Sequence, residues 1–541
     1  MSVSHRPDTA SASPPGTAGR QPARLASSAS SVQRPVRQAG AGAEAQPGWI
    51  VPVLILVIGQ FMSVLDVTIV NVAIPSIQKD FGGSQEDVLW IATAYTLTLG
   101  VVVPLSGWLG DRLGLTTIYT WALVGFSIGS AACGLAWDLD ILIGCRVLQA
   151  IPGGLLPVVS MSLLSHVVPK EKMGAAMGVF GLGIIFAPAV GPVLGGYLVQ
   201  YLDWRLVFYI NVPVGLLGAA VAAFGLRKVG KTVAQKFDFA GFISISVALS
   251  SILLAAEKGT DWGWTGYRIL ILWTLGALAF ALFVVIELEI DYPLLELRVF
   301  KTRTFTQSII LLVVMQVNLF ATLFFVPVFL QQGQQKEAFD AGILIFPQAV
   351  VTAILMPVAG KLYDRIGPRW LSVVGMAICA WGTHLLYALD PTTPREAIIA
   401  WTCLRAIGVG LAMMPMMTAG LAAVPDEMGN QASALNNVAR QVGGALGLAG
   451  LSAMASLQQQ KIFADWSGLF RATDEPGHLD PHTPKGFSLL YRQYQGLTFE
   501  ILGVSYGNIF LVVSAATAAC VMLALYLPSG KPPAGQERRL D

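Results

Sequence analysis

The sequence has few charged residues for its length. Only 12% of its 541 residues are charged, about half of the roughly 25% that soluble domains carry. The net charge of +2 is too small to attract nucleic acid or other acidic partners from a distance. The composition therefore argues against a soluble enzyme, a disordered regulator and a nucleic-acid-binding protein.

Cysteine and histidine are also rare, with five of each. The cysteines all lie within apolar runs and none has CxxC spacing, so neither a disulfide framework nor a zinc site is indicated. Their ordinary role is that of small buried hydrophobic residues. The chain has no HExxH motif, no N-x-[ST] sequon and no cleavable signal-peptide pattern. A membrane-embedded enzyme therefore has no visible catalytic constellation.

Hydrophobic residues, by contrast, make up 54% of the chain and occur in runs of about 20, the length that spans a ~30 Å hydrocarbon core. The runs predict an all-α polytopic membrane protein with fourteen spans. These lie near residues 50–73, 87–108, 116–136, 139–163, 174–200, 206–226, 238–257, 268–287, 305–328, 339–359, 370–389, 397–420, 432–455 and 504–527.

The distribution of lysine and arginine predicts the topology. With both termini inside, the cytoplasmic segments contain 21 of the 34 basic residues and the outer segments 10, as the positive-inside rule requires. Residues 1–47 predict a disordered cytoplasmic tail, because they contain too few apolar residues to fold. Their arginine-rich, acid-poor composition is also compatible with a transit peptide. Residues 531–541 form a second cytoplasmic tail.

An eight-residue pattern, G-x-L-x-D-R-[LI]-G, occurs twice at an offset of 253 residues. A weaker repeat of Arg146 and Pro157 as Arg405 and Pro415 has nearly the same offset, so the chain contains two homologous halves in parallel order. We call the two copies the signature loops. Their defining residues are Gly107, Asp111, Arg112 and Gly114 in the first copy, and Gly360, Asp364, Arg365 and Gly367 in the second. The glycines allow a tight loop, and the carboxylate can accept hydrogen bonds from the start of a facing helix.

These loops resemble the signature of the major facilitator superfamily. The stretch from Leu65 to Pro75 and the phrase from Trp204 to Pro213 are similar to its fourteen-span drug–proton antiporters of the EmrB/QacA type. The resemblance covers residues 48–530. It implies a major facilitator fold with an N-terminal six-helix half (48–230), two inserted helices with linkers (231–300) and a C-terminal six-helix half (301–530) that contains an outer loop at 456–503.

The fifth span contains a glycine- and proline-rich stretch that resembles the antiporter motif of these exporters. Its residues are Pro188, Gly191, Pro192, Gly195 and Gly196. Small residues let neighbouring helices approach closely, and proline removes backbone donors. The stretch therefore predicts a closely packed joint between the halves, with generic helix packing as the alternative.

Ionisable residues at membrane depth are candidates for function. Asp66 lies deep in the first span and Arg146 lies within the fourth. A carboxylate between a nonpolar interior and an arginine can take up a proton and release it when its surroundings change, which predicts proton coupling. A static buried ion pair is the alternative. Arg405 and Arg440 lack an obvious carboxylate partner at depth, and Asn318 falls near the position that the repeat assigns to the partner of Asp66.

A central cavity between the halves would be lined by polar, aromatic and adaptable side chains. The candidate lining residues are Asn71, Tyr95, Asn318, Met413, Met417 and Arg440. Methionine adapts to irregular ligands, although core packing is the simpler explanation for the methionines of the twelfth span.

Residues 225–232 match the phosphate-loop pattern G-x-x-x-x-G-K-[ST], but that loop needs a preceding strand and none is predicted. We therefore expect no nucleotide, metal or other cofactor, and a proton gradient as the energy source. The sequence predicts proton-coupled export of small amphipathic compounds across a bacterial inner membrane, as in antibiotic resistance. A periplasmic adaptor protein is a candidate partner. A proton-coupled uptake symporter of the same fold is the alternative, followed by a membrane-embedded enzyme or receptor.

Overall fold

The computed structural model describes residues 49–229, 237–290, 293–425, 428–472 and 484–529. The predicted tails at 1–47 and 531–541 lie outside these residues. The described residues are almost entirely helical and contain no strand. The helices before the predicted insertion are α1 Ile50–Phe81, α2 Gln85–Val102, α3 Leu105–Leu113, α4 Leu115–Gly134, α5 Leu139–Val167, α6 Met173–Tyr201, α7 Leu206–Tyr209 and α8 Asn211–Gly225. The remaining helices are α9 Phe239–Trp262, α10 Tyr267–Glu289, α11 Arg303–Gln332, α12 Ala338–Ile366, α13 Pro368–Leu385, α14 Arg395–Ala422, α15 Gly429–Ala472 and α16 Pro484–Ala524.

The prediction of an all-helical membrane protein is confirmed. Among the described residues, 12 helices are long and apolar enough to cross a membrane, or up to 13 if α2 and α3, bent by 56° at Pro104, form one span. Helix α15 does not pass this test, because Asn, Gln and Arg interrupt its apolar residues. Each of the fourteen predicted spans coincides with helix, but the span count of fourteen is not confirmed.

The two signature loops adopt matching turns. Gly114 ends α3 with φ +89° and Gly367 ends α12 with φ +80°, a region that residues with a Cβ avoid. The amide of each glycine donates to the carbonyl four residues earlier, from Gly114 to Gly110 and from Gly367 to Tyr363. We call the end of the bundle that carries both turns the signature-loop face.

The predicted inserted pair, α9 and α10, packs together, and α9 also contacts α2 and α15. Only 17% of the 18-residue apolar stretch of α10 is buried within the protein. Its remaining apolar surface suits contact with lipid, because a helix that is hydrophobic all round needs either a protein core or a membrane.

The structure differs from the prediction of an outer loop at 456–503. Helix α15 continues to Ala472 and α16 already begins at Pro484. The polarity of residues such as Gln458 and Lys461 marks the end of an apolar run, but glutamine and lysine are good helix formers, so the helix does not end there.

The phosphate-loop match follows helix α8, which ends at Gly225. A strand is required at that place, and the structure provides a helix instead. Lys231 and Thr232 lie outside the described residues.

Candidate functional site

A buried ion pair occupies the middle of the first half. Asp66, at the centre of α1, and Arg146, on α5, are 0% and 1% exposed. Arg146 Nη1 lies 2.5 Å from Asp66 Oδ2. The guanidinium also lies over the Tyr95 ring, 3.8 Å from its centroid. The cation is therefore compensated by a carboxylate on one side and by an aromatic face on another.

Two amide side chains complete the surroundings of the carboxylate. Gln149 Nε2 and Asn211 Nδ2 donate to Asp66 Oδ1 over 3.0 Å and 3.1 Å. Both amides also donate to Ser130 Oγ, and Gln149 Oε1 accepts from Arg146. Both oxygens of Asp66 thus have donors, which is the arrangement that a buried charge requires. Gln149 and Ser130 are polar residues inside predicted spans that no sequence motif distinguishes, whereas Asn211 lies in the stretch from Trp204 to Pro213.

The second half contains an equivalent cluster without a carboxylate. Arg405 Nη1 donates to Asn318 Oδ1 over 3.0 Å, and Arg405 Nη2 donates to Gln348 Oε1 over 2.8 Å. Asn318 Nδ2 in turn donates to the hydroxyls of Thr383 and Thr517. Both Asn318 and Arg405 are buried.

The two clusters are related by the internal repeat. Asn318 follows Asp66 by 252 residues, and Arg405 follows Arg146 by 259. Between them, Gln348 follows Tyr95 and Thr383 follows Ser130, each by 253 residues. The repeat therefore places an arginine, an Asp or Asn and a hydroxyl side chain at equivalent positions in both halves, whereas the titratable carboxylate is present only in the first cluster.

The signature loops join the two halves. In the second loop, Asp364 accepts hydrogen bonds from the backbone amides of Gly174 and Ala175 over 2.9 Å and 3.1 Å. These amides are at the start of α6, where the helix dipole favours a negative charge. In the first loop, Asp111 accepts from the side chain of Asn430, at the start of α15, over 2.7 Å. Each carboxylate therefore contacts the start of a helix in the opposite half.

The basic and glycine residues of the loops have distinct positions. Arg112 lies over the Trp108 ring, 5.0 Å from its centroid, whereas Arg365 is exposed. A Cβ on Gly360 would overlap the carbonyl of Gly174, so this glycine is needed for the close approach of α12 to α6. Gly107 packs less tightly, because an added Cβ would lie 3.9 Å from the Asn430 carbonyl oxygen.

A stripe of glycines on α6 continues this contact into the bundle. Added Cβ atoms on Gly178 and Gly181 would lie 2.5 Å from the Met356 carbonyl oxygen and 2.6 Å from the Met356 sulfur. Further along, Phe186 lies 6.3 Å from Phe346 between ring centroids. We call this contact between α6 and α12 the interhalf seam, defined by Gly174, Gly178 and Gly181 against Met356 and Gly360.

The residues of the antiporter-like motif lie nearer the other end of α6, and its glycines Gly191 and Gly195 contact helix α1 of their own half. An added Cβ on Gly191 would overlap Thr68, and one on Gly195 would lie 2.9 Å from Ile69 Cγ1, both on α1. Gly196 has nothing within 4 Å. Pro188 and Pro192 lie inside the continuous helix α6. Close packing by this motif is thus a contact within the first half, while the seam between the halves uses glycines nearer the signature-loop face.

The candidate lining residues divide into two groups. Tyr95, Asn318, Met413 and Met417 are at most 1% exposed: the first two belong to the arginine clusters, and the methionines pack in the core. These four do not line an accessible cavity in this conformation. Asn71 is exposed and Arg440 is partly exposed, so only these two of the six can contact a ligand here.

Replacing Asp364 with Asn should weaken the seam. The amide oxygen can accept a hydrogen bond, but it loses the charge that favours a helix start, an effect of about 1 kcal/mol. We expect a severalfold larger open population at the signature-loop face. Spin labels on Lys172→Cys and Lys361→Cys, exposed sites on opposite sides of the seam, would report it as longer label separations. Arg365→Gln, beside Asp364 but exposed, should leave the separations unchanged; equal effects of both variants would contradict this role of Asp364.

The fold consists of two repeated helical halves with a charged polar cluster in each and a seam held by duplicated turns. These are the features of a membrane transporter. Comparison with known proteins agrees. Residues 56–448 match the sequence profile of the Major Facilitator Superfamily, and the chain belongs to this superfamily.

Individual relatives and structures are consistent with this assignment. The chain is 35% identical over 395 residues to the uncharacterized MFS-type transporter YhcA of Bacillus subtilis (strain 168), covering 73% of this chain and 74% of YhcA. It is 33% identical over 413 residues to the multidrug transporter protein MdtP of the same organism, covering 76% of each. The structure of the proton:xylose symporter XylE matches with a TM-score of 0.55 at 14% identity, covering 90% of this chain and 97% of XylE. At that identity the likeness concerns the fold.

Proposed function

We propose that this protein is a proton-coupled antiporter that exports small amphipathic compounds by alternating access, with Asp66 as the proton carrier. The observation that carries the proposal is the buried Asp66–Arg146 pair. Among the described residues of the apolar spans, Asp66 is the only acidic residue more than two turns from both helix ends. A single titratable carboxylate at this depth is the group through which a proton can change the charge of the interior.

The geometry gives a physical reason for coupling. A proton on Asp66 removes the negative charge opposite Arg146, and an uncompensated buried charge is destabilising by about 3–5 kcal/mol. The protonated protein therefore gains from an arrangement in which Arg146 finds water or another acceptor. Loss of the proton restores the ion pair and the hydrogen bonds from Gln149 and Asn211. An inward proton supplies about 2.3 kcal/mol per 100 mV of membrane potential.

The seam supplies the element that moves. Under the topology inferred from the basic residues, with both termini inside, the signature-loop face is cytoplasmic. The close contact of α6 with α12 then closes the path to the cytoplasm, and the carboxylate contacts of Asp364 and Asp111 stabilise that closed arrangement. Alternating access requires the seam to open, so the glycines and the two carboxylates act as a latch.

The direction of transport rests on resemblance. The stretch from Pro188 to Gly196 is similar to the antiporter motif of exporters, and MdtP is named as a multidrug transporter. These features, together with helix at each of the fourteen predicted spans, support the proposal that the protein is a fourteen-span drug–proton antiporter of the bacterial cell membrane. Uptake by proton symport is the second candidate, because the fold itself accommodates both directions.

The proposal is tested in everted vesicles energised by respiration. Three compounds with one ring system and fixed charges serve as probes: naphthalene-2-sulfonate, naphthalene-2-sulfonamide and trimethyl(2-naphthyl)ammonium. We expect vesicles containing the protein to accumulate at least one probe, and a protonophore to abolish the accumulation. Accumulation that survives the protonophore, or that occurs equally in vesicles without the protein, would contradict proton-driven export.

A further inference from the structure

The centre of the bundle has an excess of positive charge. Of the described residues at that depth, Asp66 is the acidic one, whereas three arginines lie there: Arg146, Arg405 and Arg440. Arg146 is neutralised by Asp66. Arg405 and Arg440 have no carboxylate within ion-pair distance among the described residues. The second half therefore presents two uncompensated charges to the interior.

Arg405 is enclosed and hydrogen-bonded only to neutral groups. It is 2% exposed, its amino groups donate to Asn318 and Gln348, and its Nε has no hydrogen-bond partner. Amide oxygens satisfy donors but do not cancel a charge, and Coulomb interactions extend further where the dielectric constant is low. Arg405 thus contributes a positive potential to its surroundings without offering its own surface to a ligand.

Arg440 has the same charge in an accessible place. It lies in α15 about three turns after its start, deep within the protein, yet its side chain is partly exposed. Helix α15 packs against α11 of its own half and against α3 and α5 of the other half, so it borders the space between the halves. Among described residues, Arg440 donates one hydrogen bond, from Nε to Gln316 Oε1 over 3.3 Å.

A guanidinium has five N–H donors in a planar fork. With Nε directed at Gln316, both terminal amino groups of Arg440 are left for a ligand. A planar or tetrahedral anion such as a carboxylate, a sulfonate or a phosphate accepts two parallel hydrogen bonds from such a fork. A cationic ligand at the same place would meet the repulsion of Arg440 and Arg405.

We propose that Arg440 is the recognition site for an anionic group on the transported compound, so that the cargo consists of amphipathic anions. The apolar part of the cargo would pack against the surrounding helices while its anionic group binds the Arg440 fork. The proposal rests on the transport function proposed above and specifies its substrate class. It is independent of proton coupling, because Arg440 and Asp66 belong to different halves.

Equilibrium binding to the purified full-length protein in neutral detergent tests this inference. The probes are the same naphthyl sulfonate, sulfonamide and trimethylammonium compounds, and the readout is equilibrium dialysis with ligand-induced shifts of the unfolding midpoint. We expect the sulfonate to bind at least tenfold more tightly than either analogue. Arg440→Gln should abolish this preference, Arg440→Lys should retain part of it, and Arg440→Glu should favour the trimethylammonium compound.

Matched controls separate the possible explanations. Arg395→Gln, an exposed arginine at the start of α14, should leave the preference unchanged. Equal binding of the three probes to the wild-type protein, or an unchanged preference in Arg440→Gln, would overturn the proposal. So would loss of sulfonate binding on addition of phosphatidylglycerol, which would assign Arg440 to a lipid headgroup. Failure here leaves protonophore-sensitive transport intact, whereas failure of coupling would leave binding at Arg440 intact.

Discussion

Replacing Asp66 with Asn should give a folded, membrane-inserted protein that no longer concentrates any compound against a gradient. The substitution removes the titratable group but preserves its shape. The second half already shows that this chemistry is stable: Asn318 accepts from Arg405 over 3.0 Å in the equivalent place. We therefore expect the variant to fold and insert with a lower unfolding midpoint, because Arg146 loses its carboxylate partner, and pH-driven accumulation to fall to the level of vesicles without the protein. Downhill exchange of the probe should persist.

The converse substitution gives a matched control. Asn318→Asp places a carboxylate beside Arg405 and creates a second ion pair, while Asp66→Asn with Asn318→Asp keeps one carboxylate but moves it to the other half. If any buried carboxylate next to an arginine suffices, the double variant should recover coupling. If the position in α1 is essential, it should remain uncoupled. Full pH-driven accumulation by Asp66→Asn alone would show that the pair is structural.

The second large effect should come from a single methyl group on the interhalf seam. In Gly178→Ala, the new Cβ would lie 2.5 Å from the Met356 carbonyl oxygen and 2.7 Å from Pro357 Cα. These are backbone atoms that cannot rotate away, so α6 and α12 must separate. Overpacking of this kind costs about 1–3 kcal/mol, which corresponds to a shift of about 5- to 150-fold in the equilibrium between the closed and open arrangements. We expect the rate of transport to fall as the closed arrangement becomes less populated.

The same helix provides the control. Gly196→Ala adds the identical methyl group where nothing lies within 4 Å, and alanine stabilises a helix relative to glycine by up to about 1 kcal/mol. Spin labels on Lys172→Cys and Lys361→Cys should show longer separations for Gly178→Ala and unchanged separations for Gly196→Ala. Identical distances and transport rates for both variants would mean that the seam is not the moving contact.

The overall organisation could be predicted from the sequence because the membrane imposes strong patterns. Apolar runs of about 20 residues can only be spanning helices, and a duplicated loop at an offset of 253 residues indicates two halves. The depth of Asp66 and Arg146 in their spans was enough to suggest a pair, which the structure brings to 2.5 Å. The expectation that a signature carboxylate contacts a facing helix start is met by Asp364.

Other features required three-dimensional information. Gln149 and Asn211 bind Asp66 from separate helices, and although Asn211 lies in the stretch from Trp204 to Pro213, nothing in the sequence connects either amide with Asp66. The glycines of the seam could not be distinguished from the glycines of the antiporter-like motif, because both stripes lie on α6 and only the neighbouring helix tells them apart. Helices α15 and α16 extend into the predicted outer loop, because polar residues mark the end of an apolar run and not the end of a helix. The internal repeat could have identified Gln348 and Thr383 through Tyr95 and Ser130.

The most direct test of proton antiport through Asp66 is the direction of proton movement during downhill flow of a probe. Proteoliposomes containing a pH indicator, with the membrane potential clamped at zero, are loaded with the naphthyl probe that binds most tightly and diluted into probe-free buffer. We expect outflow of the probe to acidify the lumen with the wild-type protein, because protons enter in exchange, and to leave the lumen pH unchanged with Asp66→Asn. Alkalinisation of the lumen would indicate symport, and equal acidification by Asp66→Asn would contradict the assignment of Asp66 as the proton carrier.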